Sequence, residues 1–571
     1  MNSYKDIFEV LKSKVSEGAV FSLSQPEDAL HGDFATNISF ILAKDKGGSP
    51  KSVAEELVPV LQEELIDIVE KIEVAGPGFI NFFLKDEIRT DEVKELAEGA
   101  VVISENKGKV MVEYTDPNCF KVFHIGHLMA NAIGEATARL YEASGYDVMR
   151  VCYPSDIGRN VAMGVWGVMQ KENEKPKADA ELKDKISFLG MCYAFANGEF
   201  ESNEKSKASI AEVNKAIYEG TDLPTGEAGV KVMEVYAEGR ALSLEYFDKL
   251  YEKLGTTFDK TIFESEVAEP GAEIVKANMG KIFEESDGAV VYKGEQDGLH
   301  TRVFLTTQGL PTYEAKELGN YEKKLESLPE ASFYVVITAN EQNEYFKVVN
   351  KVTQKIHPEL TDKLVHIGHG MMRLPSGKMA SRTGNVIGAE DLLDMITEKL
   401  KEKLADKVVA FSDSTQLLND IAVGAIKFSI LKQAPGGDIV FDFDKSISFE
   451  GDSGPYLQYT HARICTLLEK AKEADINTES YVVENPEREL EQVLIGYRQT
   501  LEKSFKDLGP HHIVQYLLSL TRAFNAMYGR TQIVDVNNKE KSAYYVMLAT
   551  ATQKILAHGL HTLGIKAPER M

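Results

Sequence analysis

The feature that most constrains the fold is a pair of apolar runs separated by a helical pattern, between residues 110 and 153. The runs are VMVEY at 110–114 and VMRVCY at 148–153. The small and apolar residues that recur between them at helical spacing are Leu128, Ala132, Ala136, Leu140 and Ala143. A strand, a helix and a strand in this order predict a βαβ unit with parallel strands and a right-handed crossover. We therefore expect a doubly wound parallel sheet in the middle of the chain.

The regions around this unit carry different patterns. Three later runs are candidate strands of the central region: RVFLT at 302–306, FYVVIT at 333–338 and KLVHI at 363–367. The stretch AGPGFINFFL at 75–84 predicts a strand after a Gly-Pro-Gly turn, within a small α+β domain. Beyond about residue 450, two apolar stripes at helical spacing predict a helical bundle. Their members are Ile513, Leu517, Leu520, Phe524 and Met527, and Tyr544, Leu548, Ala551 and Ile555.

These patterns predict an α/β multidomain protein. A Rossmann-like domain with a doubly wound parallel sheet is expected between an N-terminal α+β domain and a C-terminal all-α bundle. The predicted segments are 1–105 for the N-terminal domain, 106–390 for the central domain with an insertion around 170–300, 391–452 for a helical connection and 453–571 for the bundle.

Composition excludes several classes of protein. A chain of 571 residues with 43% apolar residues can bury several cores, which excludes a disordered or fibrous protein. No apolar run approaches the roughly 18 residues of a membrane span. The four cysteines form no C-x-x-C pair, so neither a disulfide framework nor a metal site is expected, and we expect a cytoplasmic protein. The net charge of -25 argues against a chain that coats nucleic acid through its overall charge, although residues 453–571 escape the acidic excess.

The tetrapeptide His124-Ile125-Gly126-His127 stands between the first strand and the crossover helix, where doubly wound sheets bind ligands. Two imidazoles at a helix N-terminus can donate hydrogen bonds to phosphate oxygens, and a glycine between them lets a nucleotide approach the backbone. The same tetrapeptide recurs at 366–369, where it ends a strand and leads into GMMRLPSGKM without an amphipathic helix. We assign the chemistry to the first copy and treat the second as incidental; a structural role for the first is the alternative.

A second candidate segment is GKMASRTGN at 377–385, a glycine-flanked turn that carries Lys378 and Arg382. A loop of this kind can close over a polyphosphate group and neutralise its charge. The alternative is an ordinary surface turn with two exposed cations.

Together the two segments resemble the HIGH and KMSKS signatures of class I aminoacyl-tRNA synthetases. Further segments in the same order resemble arginyl-tRNA synthetases over nearly the whole chain. They are HGDFATN (31–37), PGFINFF (77–83), EYTDPN (113–118), GLPTYEAKELG (309–319), EQNEYF (341–346), YLQYTHARI (456–464) and APERM (567–571).

The resemblance implies a two-step reaction. The carboxylate of L-arginine attacks the α-phosphorus of ATP and expels pyrophosphate, and the arginyl group then passes to the 3′-terminal adenosine of a tRNA. Mg²⁺ is expected to accompany ATP without a dedicated set of protein ligands. The residues assigned to catalysis and ATP binding are His124, Gly126, His127 and Lys378, with Arg382 as a further ATP contact.

The resemblance also assigns an arginine pocket. A guanidinium group offers a planar fork of donors, which carboxylates accept in parallel pairs. Glu113 and Glu317 are the expected acceptors, with Tyr313 as a wall and hydrogen-bond partner. The further expected members are Asn118 at the α-amino end, Asp156 and Gln342. The alternative for the two glutamates is a solvated surface position.

By the same resemblance, the N-terminal domain contacts the elbow of the tRNA, with Phe79 and Asn81 as candidates. The C-terminal bundle resembles a DALR anticodon-binding domain, with Tyr459, Tyr528 and Met571 as candidates. Packing into a core is the alternative for Phe79 and Tyr528. We expect a monomer whose partners are tRNA, L-arginine and ATP.

Two departures from the family pattern keep other functions open. The loop carries Ala380 and Ser381 where the signature has serine and a second lysine, and Glu317 stands where aspartate is usual. One alternative is a tRNA-binding, synthetase-like paralogue without efficient activation. Another is a HIGH-type nucleotidyltransferase that acts on a small molecule.

Overall fold

The computed structural model describes residues 2–26, 28–100, 106–223, 231–373, 375, 388–404 and 414–571. They divide into two compact units. The first takes in the described part of 1–103 together with 449–562 and 566–571, and the second takes in the described part of 104–448 with 563–565. The two ends of the chain therefore belong to one unit, although the whole central region separates them in sequence.

The N-terminal part of the first unit is the predicted α+β domain. Its helices are α1 (Ser3–Lys12), α2 (Ile38–Lys46), α3 (Pro50–Glu64) and α4 (Asp86–Glu98), and its strands are β1 (Leu23–Ser24), β2 (Phe34–Thr36), β3 (Val69–Ala75) and β4 (Phe79–Leu84). The strands form an antiparallel sheet in the order β1-β2-β4-β3. The predicted turn before β4 needs its glycine, because a Cβ on Gly78 would lie 2.7 Å from the backbone of Pro50 and φ there is 131°.

The C-terminal part of the first unit is all helical, as predicted. Its helices are α16 (Gly454–Glu473), α17 (Arg488–Ile495), α18 (Tyr497–Lys506), α19 (His511–Arg530) and α20 (Lys539–Thr562). Both predicted apolar stripes are buried, the first on α19 and the second on α20. Among the residues described, no helix is long and apolar enough to cross a membrane.

The second unit alternates strands and helices. Its strands are β5 (Lys109–Glu113), β6 (Asp147–Cys152), β7 (Lys260–Thr261), β8 (Glu284–Ser286), β9 (Ala289–Tyr292), β10 (Arg302–Leu305), β11 (Ala331–Ala339), β12 (Leu364–His369), β13 (Met372–Arg373) and β14 (Ile439–Val440). Its helices are α5 (Ile125–Ala143), α6 (Arg159–Gln170), α7 (Leu182–Ser202), α8 (Glu204–Glu219), α9 (Val232–Leu254), α10 (Glu264–Ala277), α11 (Tyr313–Ser327), α12 (Asn343–Ile356), α13 (Ala389–Leu404), α14 (Ser414–Leu431) and α15 (Phe443–Ser446).

A five-stranded parallel sheet in the order β12-β11-β5-β6-β7 forms the centre of this unit. The predicted βαβ unit is β5, α5 and β6. Val112, Val151 and Val335 are at most 1% exposed, as expected for strands with both faces covered. The chain proceeds from β5 to β6 and β7 on one side, and β11 and β12 lie on the other. The strand order therefore reverses between β5 and β11, which is where open parallel sheets bind ligands.

One predicted strand joins a different sheet. RVFLT at 302–306 contains β10, but β10 pairs with β9 in a separate antiparallel sheet of order β10-β9-β8. It therefore does not extend the parallel sheet. The hairpin partner β9 is nearby in sequence, and a short apolar run does not reveal which partner it will take. The other two candidates lie in β11 and β12, as predicted.

Candidate active site

A cavity of about 500 Å³ lies at the point where the strand order reverses. Glu113 at the carboxyl end of β5 and Thr338 near that of β11 both line it. The predicted pocket residues in its lining are Glu113, Asn118, Tyr313, Glu317 and Gln342. Its charged lining residues are the acids Glu113, Asp116, Glu264, Glu314, Glu317 and Glu341 and the cations Lys121 and Arg302. This excess of carboxylates favours a cationic ligand.

The two predicted guanidinium acceptors meet at the floor of the cavity, although β5 carries one and α11 the other. Both Glu113 and Glu317 are buried. Asn320 donates from Nδ2 to Glu113 Oε2 at 3.0 Å and to Glu317 Oε1 at 3.2 Å. The ammonium group of Lys324 lies 2.9 Å from the same Glu113 oxygen and 3.4 Å from the same Glu317 oxygen. The second oxygen of each carboxylate takes part in none of these contacts.

Burial controls the protonation of these acids. Desolvation raises the pKa of Glu317 to about 7; Lys324 opposes this rise and Glu113 adds to it. Burial, reinforced by Glu113, also raises the pKa of Asp116 well above its usual range. A cation in the cavity would favour the ionised forms and would lower both pKa values.

Asp156 is buried next to the lining residue Ser155 and is not itself among the lining residues, so its role in the pocket stays a prediction. Its Oδ2 accepts hydrogen bonds from Arg240 Nε and Ser265 Oγ, both at 2.8 Å, and its Oδ1 accepts one from Ser265 N at 2.9 Å. Asp156 thereby connects α9 to the start of α10. These bonds fix the position of the carboxylate in the folded protein.

Several lining residues escaped the sequence analysis. Glu264 opens α10, is buried, and lies 2.7 Å from Lys316 Nζ and 2.9 Å from the Ser155 hydroxyl that donates to it. Tyr345 donates to the backbone oxygen of Tyr313 at 3.1 Å and so holds the start of α11. Ser155 could have been found, because it follows the strand predicted beside β5. Glu264 could not, because the two-residue strand β7 before it carries no recognisable pattern.

The loop between β5 and α5 has an unusual backbone. Thr115, Asp116 and Phe120 have φ angles of 86°, 42° and 64°, a region that residues other than glycine seldom adopt. The ring of Phe120 fills the space that a Cβ would need at Gly164 on α6 and at Gly239 on α9. Packing therefore holds the loop that carries Asn118 into the cavity and leads to His124. Strain of this kind concentrates at functional sites.

The first HIGH-like tetrapeptide opens α5, as predicted. His124 is the N-cap of the helix, and the rings of His124 and His127 stack with centroids 3.6 Å apart. His127 Nδ1 accepts from the backbone N–H of His124 at 3.2 Å, and His124 Nδ1 accepts from that of His127 at 3.4 Å. These bonds assign the proton of each neutral ring to Nε2. Two Nε2–H groups are thus available as donors at a helix N-terminus.

A side chain at position 126 would crowd the ring of His124. A Cβ at this position would lie 2.9 Å from His124 Cε1 and 3.0 Å from its Nδ1. The glycine therefore makes room for the histidine pair, and its predicted role towards a nucleotide stays a prediction.

Burial keeps both imidazoles neutral. Desolvation, with a contribution from Lys121, lowers the pKa of His124 to about 4. Desolvation and the neighbouring His124 lower the pKa of His127 well below its usual range. Each ring is therefore a neutral hydrogen-bond donor at pH 7.

We expect His124→Asn to reduce the acid sensitivity of the protein, because asparagine keeps an N-cap acceptor without titrating. The pKa of His124 is depressed in the folded state, so the unfolded state gains protons first. Stability is then lost as the pH falls from about 6.5 towards 4. Between pH 7 and pH 4, the free energy of unfolding of the variant should fall by about 1–3 kcal/mol less than that of the wild type. Urea unfolding at both pH values measures this; an equal fall in both proteins would contradict it.

The second copy of the tetrapeptide is not incidental. It ends β12, as predicted, but His369 is buried and contributes to the lowered pKa of both His124 and His127. His366 Nε2 lies 2.8 Å from the hydroxyl of Thr338, and its ring stacks on Phe346 at 4.2 Å. Thr338 and Phe346 both line the cavity. The carboxyl end of β12 therefore supports the same site as that of β5.

Lys378 and Arg382, the predicted phosphate-binding cations of the second motif, lie outside the described residues. Their roles stay predictions.

Two of the predicted anticodon contacts share one cation in the helical bundle. The guanidinium group of Arg463 lies 4.8 Å from the ring centroid of Tyr459 and 5.3 Å from that of Tyr528. Tyr528 is 39% exposed, and Met571 at the chain end is partly exposed. Arg463 between two tyrosines, which sequence analysis missed, is a surface on which a nucleotide base could stack.

The N-terminal candidates differ in exposure. Phe79 is 42% exposed and its ring lies 5.0 Å from that of Phe40. Asn81 is 6% exposed and lies on the same face of β4 as Phe79, whereas the alternate residues Ile80, Phe82 and Leu84 are at most 1% exposed. The tRNA contacts predicted for Phe79 and Asn81 both stay predictions.

Comparisons with known proteins agree with this architecture. The family model for the catalytic domain of class I (R) tRNA synthetases matches residues 93–443, which is more than half of the chain. The models of the DALR anticodon binding domain and the arginyl tRNA synthetase N-terminal domain match residues 457–571 and 5–84.

Individual relatives extend over most of the chain. An arginine–tRNA ligase of Flavobacterium psychrophilum is 30% identical over 539 residues, covering 90% of this chain and 87% of that protein. One of Amoebophilus asiaticus is 29% identical over 527 residues, covering 86% of each. The structure of Thermus thermophilus arginyl-tRNA synthetase, 24% identical, covers 100% of this chain and 99% of its own with a TM-score of 0.83, which shows the same fold. The chain therefore belongs to the arginyl-tRNA synthetase family of class I aminoacyl-tRNA synthetases.

Proposed function

We propose that the chain activates L-arginine with ATP and transfers the arginyl group to the 3′-terminal adenosine of a tRNA. The observation that carries the proposal is the pair Glu113 and Glu317, two buried carboxylates that line one acid-rich cavity where the sheet binds ligands. A guanidinium ion matches such acceptors with its fork of donors, whereas the ammonium group of lysine leaves part of them unpaired. Family membership and the charge of the cavity thus lead to the same substrate.

In the proposed complex, the guanidinium group lies against the outward oxygens of Glu113 and Glu317. Tyr313 forms a wall near the mouth, and Asn118 and Gln342 contact the α-amino and carboxylate end. Fixing this end beside the histidine pair would hold the reacting carboxylate near the α-phosphorus of ATP, and such positioning is a large part of catalysis in reactions of this kind.

The histidines stabilise the first step in this proposal. An oxygen of the arginine carboxylate forms a bond to the α-phosphorus as the bond from this phosphorus to the leaving pyrophosphate breaks. The Nε2–H groups of His124 and His127 donate to the phosphate oxygens, at the positive end of the α5 dipole. Lys121, in the cavity lining and close enough to lower the pKa of both rings, adds a positive charge on the same side. Lys378 and Arg382 would neutralise the pyrophosphate.

Transfer and metal use complete the proposal. In the second step, a ribose hydroxyl of the tRNA attacks the arginyl carbonyl carbon, AMP leaves, and the hydroxyl proton is released. Mg²⁺ would enter bound to the phosphates of ATP. In the described ranges, no group of three or more His, Cys, Asp or Glu side chains is arranged to hold a metal ion, so phosphate oxygens and water would supply most of its ligands.

The remaining predictions are part of the same proposal. The segments 1–105, 106–390, 391–452 and 453–571 serve as elbow-binding, catalytic, connecting and anticodon-binding regions of a cytoplasmic monomer. Phe79 would contact the elbow of the tRNA, and Tyr459, Tyr528 and Met571 the anticodon. The arrangement of Arg463 between the two tyrosines supports a role in binding unstacked bases.

The test is arginine-dependent exchange of pyrophosphate into ATP, measured on the full chain with Mg²⁺ and tRNA present. Exchange with arginine, but not with lysine or glutamine, is expected. Exchange that needs a different small molecule would favour the nucleotidyltransferase alternative. Tight binding of tRNA without exchange would favour the paralogue without efficient activation. Either result would contradict the proposal.

A further inference from the structure

We propose that Lys324 is a positioning residue for substrate selection: from behind the cavity, it fixes the two carboxylates that receive the guanidinium group and favours the ionised form of Glu317. This inference rests on the proposed function, because it concerns how the arginine pocket is built. Lys324 is not among the lining residues, and no motif in the sequence pointed to it.

The geometry separates an inner from an outer oxygen on each acid. Lys324 Nζ and Asn320 Nδ2 both contact Oε2 of Glu113 and Oε1 of Glu317, at 2.9 to 3.4 Å. The remaining oxygens, Oε1 of Glu113 and Oε2 of Glu317, belong to side chains that line the cavity. One oxygen of each carboxylate is therefore held by the protein, and the other is left for a ligand.

Burying these charged and polar groups is unfavourable for stability, which argues that the cluster serves ligand binding. Lys324 is 1% exposed and Asn320 is fully buried, and the Oδ1 atom of Asn320 has no hydrogen-bond partner within the described residues. A buried ion pair stabilises a fold no better than packed apolar side chains on average. The two acids, the lysine and the incompletely hydrogen-bonded amide are thus not expected to stabilise the fold more than apolar side chains would. The cluster does supply two acceptor oxygens with a fixed separation.

The charge of Lys324 is as important as its geometry. Two neighbouring carboxylates without a counter-ion cannot both stay ionised in a buried site, and one of them takes up a proton. The proton would block an acceptor site. Lys324 lowers the pKa of Glu317 against the effects of burial and of Glu113, and the two acids in turn raise the pKa of Lys324. The lysine therefore favours the ionised form of Glu317, which is the form that a guanidinium ion needs.

Other titratable groups around the cluster do not replace this counter-ion. They are Glu113 on β5, Asp116 in the following loop, Tyr153 after β6, Glu264 on α10, Tyr321 on α11 and Tyr345 on α12. Burial raises the pKa of the three tyrosines, so they stay neutral near pH 7. Glu264 has its own partner in Lys316. Within the described residues, Lys324 is the cation that contacts both acceptors.

The test is the pH dependence of kcat/KM for arginine in the exchange reaction, compared between the wild type and Lys324→Met. Loss of a close counter-ion raises a carboxyl pKa by about one to three pH units. The pKa of Glu317 is about 7 in the wild type, so at pH 7 kcat/KM for arginine should fall about 5- to 500-fold. The fall should lie mainly in KM, and activity should return to near the wild-type value as the pH is raised by the same one to three units. Lys324→Arg keeps the charge and should keep the wild-type pH profile.

The control is Lys427→Met, which removes another fully buried lysine of the same unit. Lys427 donates to the backbone oxygens of Leu254 and Gly564 and contacts neither acceptor. Its loss should lower stability without moving the pH profile. If Lys324→Met does not fold, Asn320→Ala removes the other inner donor and should shift the profile in the same direction by a smaller amount.

The outcomes separate this inference from the proposed function. If the wild type supports arginine-dependent exchange and Lys324→Met loses activity that a higher pH restores, the inference is supported. A loss that no pH restores, or an unchanged profile in Lys324→Met or in its Asn320→Ala substitute, would overturn it while leaving the proposed function intact. Absence of exchange in the wild type at every pH would overturn the proposed function itself.

Discussion

Glu317→Gln is expected to lower kcat/KM for arginine by about 100- to 1000-fold, because it removes one charge from the buried pair that we propose as the acceptor of the guanidinium ion. Glutamine keeps the size of the side chain and can keep its inner oxygen against Asn320 and Lys324. The loss would therefore report on the missing charge and not on a cavity. Kinetics of arginine-dependent pyrophosphate exchange, with ATP and tRNA saturating, provide the measurement.

The pH profile adds a second expectation for the same variant. Burial raises the pKa of Glu317 to about 7, and kcat/KM reports on the ionisation of the free enzyme. In the wild type, kcat/KM for arginine should rise as the pH increases through this range, since the ionised acid binds the substrate. In Glu317→Gln this rise should be absent or weaker. Glu322→Gln is the matched control, because Glu322 lies on the same helix but pairs with His357, 2.7 Å away, outside the cavity. Near-wild-type kinetics for Glu317→Gln would show that the guanidinium group binds elsewhere.

Arg89→Met is expected to destabilise the first unit by about 3–5 kcal/mol, because it leaves buried carboxylates without their cation. Arg89 is 2% exposed; its Nε donates to Glu491 at 3.0 Å, and its Nη1 lies 3.4 Å from Asp33. Glu491 also accepts from Thr90 at 3.1 Å and from Tyr544 at 2.8 Å. The cluster joins α4 of the N-terminal domain to α17 and α20 of the helical bundle.

Hydrogen exchange is the measurement that tests this connection. In Arg89→Met, amide protection should fall both in the N-terminal sheet and in α17 and α20, which follow in sequence about 400 residues later. Arg488→Met is the control, because Arg488 is 56% exposed and its pairing with Asp86 is expected to contribute no more than about 1 kcal/mol. Loss of protection confined to residues 2–100 would mean that the two regions unfold independently. If the two regions unfold together, a truncation that removes residues 453–571 would also destabilise the N-terminal domain. Loss of tRNA charging in such a truncated protein would then not by itself show that the helical bundle binds the anticodon.

Local patterns predicted much of the fold. The alternation of apolar runs and helical spacing between 110 and 153 specified β5, α5 and β6, because each element is determined by its own sequence period. The stripes of α19 and α20 were predictable for the same reason. The run that became β10 was predicted as a strand, but its sheet was not predictable, since pairing depends on the strand that lies beside it. The low exposure of Asn81 was not predictable, because a polar residue inside a motif does not reveal how far its neighbours in the fold cover it.

The candidate site was predictable where it follows strand ends. Glu113 ends the first strand of the βαβ unit, and Asn118 and His124 lie in the connection from this strand to α5. The carboxyl ends of parallel strands face one crevice. Glu317, Asn320 and Lys324 lie on one face of α11, at spacings of three, four and seven, yet only Glu317 belongs to a motif. Their contact with Glu113 arises from the packing of α11 against the sheet. The pairing of Arg89 with Glu491 is likewise a property of the folded unit.

Incorporation of labelled arginine into tRNA by the full chain, with ATP and Mg²⁺, tests the central claim most directly. The same reaction is run in parallel with labelled lysine and glutamine, and with Glu317→Gln as the matched variant. We expect charging with arginine alone, and a strongly reduced rate in the variant at subsaturating arginine. Charging with another amino acid, or no charging by folded protein that binds tRNA, would contradict the assignment of the acid-lined cavity as an arginine site.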